Sequence, residues 1–303
     1  MTVGKNTLPI RVIAEDGSEK IYNVNVTRKG GVTSLKNEIM KNTVVTANPT
    51  LTTSSNNTSD ASGLYKSTAT NTGEATYYFR GNVENNYVSF ADFTWRIVRI
   101  NEDGTIRIIM QDGINSNTEY KFNSNYNYYT YMYYTNSQAK TQLKSWYQTN
   151  IGSKKDLASS VASGNYYCEQ AKAKYYDSAT SGSATMTTYN KYTPDFKCSS
   201  DGNNKGIVNA SVGLLSYDEV VYAGGYYNQN NSNYYLNNSS IAWWTMSPTG
   251  FASVNSNVWI VNFLGGIDAN GVTGTNRIRP VLILNADTLV TGSGTSSDPF
   301  VVS

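Results

Sequence analysis

The chain has 303 residues, with 24 lysines and arginines against 22 aspartates and glutamates, and a formal net charge of +2. Only 15% of the residues are charged, so the sequence lacks the basic excess of proteins that bind nucleic acids or anionic membranes. Histidine is absent, which excludes histidine-dependent catalysis and histidine-ligated zinc. No segment has the roughly 20 consecutive apolar residues of a membrane-spanning helix.

Two alternating apolar segments near the N-terminus, residues 8–13 and 21–27, predict a β-hairpin with its turn at Asp16-Gly17. Two strands are not stable alone, so this hairpin needs a partner. It resembles the last hairpin of a cadherin-like β-sandwich repeat of bacterial surface proteins. The resemblance implies that residues 1–30 are the tail of such a repeat, within a parent chain of tandem domains.

Residues 31–76 predict a linker, or an arm lying on the surface of the following domain. Within them, residues 34–42 have helical spacing, with Leu35 and Ile39 on one face. Residues 43–75 are rich in threonine, serine and asparagine and show little periodicity, which is typical of an extended linker.

The main domain is predicted to begin at residue 77. Residues 77–80 and 87–90 predict strands, residues 93–100 and 105–110 predict an antiparallel hairpin, and residues 115–136 predict a loop. An amphipathic helix is expected over residues 137–151, capped by Ser137 and ended by Gly152.

The second half of the domain predicts a strand over residues 207–215 and a short helix after it. Ser216 and Glu219 have the spacing of a capping box, and Gly224-Gly225 ends that helix. Three apolar runs follow, at residues 242–248, 258–263 and 279–284, and predict a β-meander.

The two cysteines, Cys168 and Cys198, have no zinc-type spacing and predict one disulfide of an extracellular protein. A nucleophilic cysteine is the alternative. It is disfavoured because the chain has no histidine to activate a thiol and because Glu169 would not lower a thiol pKa.

The order of these elements resembles that of the C-type-lectin-like fold. Two segments add to the resemblance: Trp244-Thr245-Met246-Ser247-Pro248 and Ile278-Arg279-Pro280-Val281. More closely, residues 77–303 are similar to its formylglycine-generating-enzyme-like subgroup and to a recurring domain of Firmicutes surface proteins. The resemblance implies an α+β domain of C-type-lectin-like fold, with antiparallel sheets, two helices and long irregular loops.

The chemistry of the formylglycine-generating enzymes does not carry over, because it needs a cysteine pair beside the substrate groove and both cysteines here precede the meander. The carbohydrate motifs of calcium-dependent lectins are absent. Calcium needs six to eight oxygen ligands, yet residues 241–280 contain one acid, Asp268. We therefore expect no enzyme activity, no cofactor and no metal; a formylglycine-generating-like enzyme is the disfavoured alternative.

The same fold is found in the variable proteins of diversity-generating retroelements, in which mutagenesis directed at adenines rewrites exposed positions before the final strand. Asparagine codons are rich in adenine. The resemblance implies that asparagines between apolar positions are candidates for diversification, namely Asn255, Asn257, Asn262, Asn270 and Asn276.

The predicted function is that of an adhesin or receptor-binding domain on the outside of a bacterial cell, binding a protein or a glycan of another cell or a host and no nucleic acid. The 25 tyrosines and many asparagines are typical of binding loops, although a β-rich secreted protein with a weakly charged surface explains them equally well. The predicted contact residues are Tyr226, Tyr227, Tyr234, Trp244, Phe251, Asn255, Asn257, Trp259, Asn262, Phe263, Ile267, Asp268, Asn270, Thr273, Thr275 and Asn276.

Several alternatives remain open at this point. Of Trp243 and Trp244, one is expected in the core and the other at the surface, because adjacent strand residues face opposite ways. The side of the sheet on which Trp259 lies is undecided. Arg279 is expected to pair with a buried acid, Asp92 or Asp218. The loops of the predicted contact region are explained either by turn chemistry or by ligand binding. A structural stalk or tip domain without a ligand is the alternative function.

Overall fold

The computed structural model describes residues 4–28, 31–51, 60–164, 166–170, 193–198, 206–227, 229–252 and 255–303. The described elements are short helices and mostly antiparallel strands in two large sheets, so the predicted α+β class is confirmed. In the part of the chain that is described, no helix is long and apolar enough to cross a membrane.

The N-terminal hairpin consists of β1 (Gly4–Ile13) and β2 (Glu19–Arg28), which form a two-stranded sheet of their own. Cross-strand pairs such as Leu8 with Val24 and Ile10 with Tyr22 share one face. Their side chains are exposed. The hairpin therefore has the amphipathic pattern that the sequence predicts, with its apolar face open to solvent.

Among the described residues, the larger sheet contains nine strands. They are β3 (Thr33–Ser34), β4 (Gly63–Ser67), β5 (Thr76–Arg80), β6 (Tyr87–Phe90), β7 (Phe93–Ile100), β8 (Ile106–Met110), β16 (Val281–Leu284), β17 (Leu289–Thr291) and β18 (Phe300–Val302). The main order is β16-β8-β7-β6-β18-β17-β3, and β5 joins β4 to β7. The last strand, β18, lies parallel to β6, so the end of the chain closes onto the start of the main domain.

The second sheet has five strands in the part of the chain that the structure describes. They are β9 (Glu119–Lys121), β12 (Trp243–Ala252), β13 (Asn255–Val261), β14 (Ile267–Gly271) and β15 (Thr275–Arg277), in the order β14-β13-β12-β15-β9. A short pair, β10 (Tyr166–Cys168) with β11 (Ile207–Asn209), lies apart from it.

Two strand predictions needed correction. The run 279–284 does not continue the meander, because β16 pairs with β8 and thus belongs to the larger sheet. The predicted strand over residues 207–215 ends at Asn209. Beyond it Leu214 and Leu215 are buried without regular strand pairing, so their apolar character reflects burial in the core.

The described helices are α1 (Leu35–Ile39), the single left-handed turn α2 (Ile114–Asn117), in which Asn115, Ser116 and Asn117 have positive φ, α3 (Gln138–Tyr147), α4 (Lys155–Ser159) and α5 (Tyr217–Ala223). Ser137 caps α3 by accepting a hydrogen bond from Lys140 N at 3.0 Å, as predicted. The capping box of Ser216 and Glu219 is also confirmed at the start of α5. Residues Gln148–Gly152 continue α3 as a π-helical turn.

The segment predicted as a linker or arm packs against the main domain. Leu35, Ile39 and Leu64 are buried and belong to the main hydrophobic cluster. Arg80 fixes the segment further, through an ion pair with Asp60 at 2.8 Å and a hydrogen bond to the carbonyl oxygen of Thr50 at 2.9 Å. Residues 31–51 and 60–76 therefore add to the core of the domain that follows them.

Candidate functional site

The predicted contact residues divide into a buried and an exposed group. Seven of the sixteen are buried and form scaffold instead of contact surface: Tyr226, Tyr234, Trp244, Phe251, Trp259, Ile267 and Asn276. The other nine are exposed or half-buried: Tyr227, Asn255, Asn257, Asn262, Phe263, Asp268, Asn270, Thr273 and Thr275.

The tryptophans are buried because β12 is a central strand covered on both faces. The indole of Trp244 donates to the carbonyl oxygen of Tyr120 at 2.8 Å and meets the ring of Phe122 edge-on. On the opposite face, the guanidinium of Arg279 lies over Trp243 at 4.9 Å. The expectation that one of the two tryptophans is at the surface is therefore wrong.

Trp259 of β13 also lies in the interior. Its ring is 5.0 Å from that of Tyr217, at the start of α5, and 5.3 Å from that of Tyr227. Because α5 covers this face of the second sheet, the strand alternation places Trp259 in the core, which resolves the question that the sequence left open.

Arg279 contacts main-chain oxygens instead of the expected carboxylate. Its Nε donates to Met110 O and its Nη1 to Leu236 O, each at 2.9 Å. Burial lowers the pKa of Arg279 to about 10. The side chain therefore joins the larger sheet to the loop before β12, which is a structural role.

The end of the β12–β13 hairpin is held by a tyrosine-rich segment that precedes α3. The buried Ser256 donates from its main-chain nitrogen to Tyr126 O at 2.9 Å and from its hydroxyl to Tyr128 O at 2.7 Å. Tyr126 and Tyr128 are 47% and 41% exposed. Tyr128 also contacts the rings of Tyr129 and Tyr131. We call this end of the hairpin, with Tyr126 and Tyr128, the tyrosine tip.

The tyrosine tip also carries amide side chains on the other side of the hairpin. Ser256 faces the tyrosines, so the strand alternation directs Asn255 and Asn257 away from them. Asn255 is exposed and Asn257 is half-buried. Asn270 is also half-buried, but it is the cross-strand partner of Val258 and therefore lies on the face of Ser256. No charged residue occurs in residues 122–139 or 220–267. The two segments that build the tip therefore offer aromatic rings and amides and carry no charge of their own.

The sequence did not identify Tyr126 and Tyr128 as contact residues. They lie about 130 positions before Ser256 in the chain and inside a stretch predicted only as a loop. The tyrosine content of residues 126–134 was the available signal.

Phe263 is exposed at the opposite end of β13, in the turn between β13 and β14. The Oδ1 atom of Asn262 accepts hydrogen bonds from Leu264 N at 2.9 Å and Gly266 N at 3.0 Å. The hydroxyl of Tyr234 donates to Gly265 O at 2.9 Å. Strand length separates this turn from the tyrosine tip by roughly 20 Å, so the predicted contact residues do not form one continuous face.

Replacing Gly265 by alanine should lower the free energy of unfolding by at least about 2 kcal/mol. The residue has a φ of +79°, which costs an L-residue about 1–2 kcal/mol, and a Cβ would collide with the main-chain oxygen of Asn231. Urea unfolding measures the change. Gly31→Ala is the control, because nothing lies near its Cβ position and its φ is not positive; equal effects of the two substitutions would refute the turn geometry.

A buried cluster of charged side chains surrounds Glu219. Its Oε1 lies 3.3 Å from Arg99 Nε and 3.1 Å from Arg107 Nη1, and its Oε2 accepts from Ser216 N at 3.0 Å. Burial alone would raise the pKa of Glu219, but Arg107 and Arg99, with the Ser216 hydrogen bond, hold it below its usual value. The carboxylate is thus ionised and paired, which suits a structural ion cluster more than acid–base chemistry.

The predicted disulfide between Cys168 and Cys198 is confirmed, with Cα atoms 5.7 Å apart. It ties β10 to residues 193–198 at the side of the ion cluster. There, the ring of Phe196 lies 4.8 Å from the guanidinium of Arg99 and stacks on Tyr222 at 4.1 Å.

Comparison with known proteins gives one family match. The model of the family described as Domain of unknown function (DUF6273) matches residues 103–286, more than half of the chain, and the protein belongs to this family. The match spans α3, α5 and the whole second sheet. No curated protein matches the chain, and no solved structure does.

Proposed function

We propose that the chain is a non-catalytic ligand-binding module of a bacterial surface protein, and that the tyrosine tip is its contact surface. The observation that carries this proposal is the pair of exposed rings, Tyr126 and Tyr128, whose main chain is fixed by the buried Ser256. Tyrosine gives a large contact area at low entropic cost, and neighbouring asparagines supply adaptable hydrogen bonds. The ligand is a protein or a glycan of another cell surface.

A C-type-lectin-like fold is proposed for residues 77–303. In its support, β18 returns beside β6, and four of the five strands of the smaller second sheet follow the two capped helices. The disulfide supports an extracellular location, because such bonds persist in oxidising compartments.

The structure also reduces the number of asparagines that are candidates for diversification by a retroelement. Asn262 is hydrogen-bonded within its turn and Asn276 is buried, so variation there would disturb the fold. Asn255, Asn257 and Asn270 remain accessible. Sequencing the locus in sibling strains should show differences at these three codons; identical codons without a neighbouring reverse transcriptase would rule out diversification.

The double substitution Tyr126→Ala and Tyr128→Ala should weaken ligand binding at least about tenfold, because exposed aromatic anchors carry much of the energy of such contacts. A glycan array and a pull-down from intact cell-surface extracts identify ligands of the unaltered chain. Surface plasmon resonance on each hit then measures the change.

Tyr22→Ala in the N-terminal hairpin is the matched control, since that tyrosine is 49% exposed and lies outside the tip. Its binding should equal that of the unaltered chain. Equal binding by the double variant would refute the tip as the site. A chain that binds no glycan and no surface protein would instead be a stalk domain.

A further inference from the structure

The tyrosines of the tip belong to a run of five consecutive exposed residues, 124–128. Asparagine and tyrosine alternate within this run, as Asn125, Tyr126, Asn127 and Tyr128. Among the described residues, the side chains of Asn125 and Asn127 have no hydrogen-bond partner inside the protein. Two aromatic rings and two amides are therefore available together on a short stretch of surface.

The exposed run is held in place from below. Ser256 N donates to Tyr126 O at 2.9 Å, and the Ser256 hydroxyl donates to Tyr128 O at 2.7 Å. The ring of Tyr128 also lies 4.9 Å from that of Tyr129 and 6.5 Å from that of Tyr131. Because these contacts order the run before a ligand arrives, little conformational entropy is lost on binding.

The segments that meet at the exposed run carry no charge. Val272 N donates to Ser256 O at 3.1 Å, and Asn123 N donates to Val272 O at 2.8 Å. No charged residue occurs in the three segments that these bonds join, residues 122–139, 220–267 and 269–276. An anionic group bound there would lose its water without gaining a lysine or arginine partner, which is costly.

Aromatic rings and amides without charge match the chemistry of a neutral sugar chain. The face of an aromatic ring has a partial negative charge, so it attracts the C–H groups of a sugar ring. An amide both donates and accepts hydrogen bonds, as sugar hydroxyl groups do. A protein is a poorer fit, because protein interfaces usually involve roughly 20–30 residues on each side and the exposed run has five.

We propose that the ligand of the tyrosine tip is an uncharged glycan. Tyr126 and Tyr128 stack on its sugar rings, and Asn125 and Asn127 form hydrogen bonds with its hydroxyl groups. This assignment rests on the proposed function, which places ligand binding at the tip. It adds the chemical class of the ligand and makes Asn125 and Asn127 determinants of specificity.

An array of neutral oligosaccharides, together with the sialylated and sulfated forms of the same chains, tests the class of ligand on the full chain. Neutral chains should bind, and adding sialic acid or sulfate should not strengthen the binding. Isothermal titration calorimetry with the strongest neutral oligosaccharide should give a Kd that changes less than about twofold between about 50 mM and about 500 mM NaCl, because no ion pair is screened.

Substitutions at the exposed run test the two kinds of contact. Asn125→Asp with Asn127→Asp should weaken binding at least about tenfold, because a carboxylate accepts hydrogen bonds but does not donate them. Tyr126→Phe keeps the ring and should bind within about threefold of the unaltered chain, whereas Tyr126→Ala should lose at least about tenfold.

Two controls should leave the Kd unchanged. Asn23→Asp makes the same chemical change at an exposed asparagine of the N-terminal hairpin. Lys121→Ala removes an exposed lysine five positions before Tyr126. Circular dichroism should show that every variant is folded.

Binding confined to sialylated or sulfated glycans, a Kd that increases with salt or in Lys121→Ala, or a ligand that is only a protein would overturn the assignment. If Tyr126→Ala with Tyr128→Ala still abolishes such binding, the tip remains the contact surface and only the class of ligand is wrong. A ligand that the double variant binds normally, or the absence of any glycan or protein ligand, would refute the proposed function as well.

Discussion

Replacing Glu219 by glutamine should lower the free energy of unfolding by about 3–5 kcal/mol, the usual cost of removing one partner from a buried ion pair. The carboxylate is buried and lies within 3.3 Å of two guanidiniums. Without it, Arg99 still contacts Glu102 at 3.3 Å, whereas Arg107 keeps a hydrogen bond to a neutral oxygen, that of Tyr166. Urea unfolding at neutral pH measures the loss.

Ser216→Ala is the matched control, because it removes the cap of the same helix but leaves the charges in place. It should cost only about 1 kcal/mol. If both substitutions cost the same, the contribution of Glu219 lies in the capping box and not in its charge.

The pH dependence of the stability gives an independent check that Glu219 is ionised. The folded-state pKa of Glu219 is below its usual value, so its contribution is present above the unfolded-state pKa, about 4.3. That contribution is lost as the pH falls through the folded-state value. The difference in stability between the unaltered chain and Glu219→Gln should therefore narrow below about pH 4. A difference that stays constant down to acid unfolding would contradict the ionised state.

What the sequence predicts well is local. The caps at Ser137 and Ser216, and the pairing of β7 with β8, depend on residues close together in the chain, so their spacing alone identifies them. The disulfide was predictable for a different reason, because the chain has only two cysteines.

What the sequence does not reveal depends on distant contacts. Glu219 looks like a helix cap, and its partner Arg99 lies 120 positions earlier. Likewise, Val281 looks like part of a meander until its pairing with Ile109 places it in the other sheet. The alternation of β13 gives two faces, and the sequence does not show that both are covered: Val258 and Ile260 are buried as well as Trp259. Trp259 therefore could not be assigned to the core.

The sequence identified the part of the chain around β13 as a candidate site, but not which residues of other segments lie beside it. Asn255 and Phe263 are accessible as expected, yet they are at opposite ends of β13. The tyrosines of the tip belong to residues 126–131, a distant segment of the chain. Hydrogen bonds from Ser256 hold that segment beside the hairpin. No periodicity of the sequence in residues 126–131 encodes such a contact.

Replacing both cysteines by serine should lower the free energy of unfolding by about 3–4 kcal/mol, since the bond closes a loop of about 30 residues. Part of the local structure should persist, because Phe196 N still donates to Ala69 O at 2.8 Å and Cys198 N lies 2.9 Å from Asn71 Oδ1. Thermal unfolding with and without dithiothreitol measures the effect. The reductant should lower the melting temperature of the unaltered chain to that of the serine variant and leave the variant unchanged.

The disulfide and the ion cluster should also be energetically coupled. Phe196 lies two residues before Cys198, and its ring covers the guanidinium of Arg99. Losing the bond frees this ring to move even where the main-chain hydrogen bond of Phe196 persists, and admits water to the charges around Glu219. Ion pairs that are exposed to water contribute little to the free energy of unfolding. Glu219→Gln should therefore cost at least about 1 kcal/mol less in the serine variant than in the bonded chain, a coupling typical of residues that share partners. Strict additivity in this double-mutant cycle would show that the disulfide stabilises the chain only through its unfolded state.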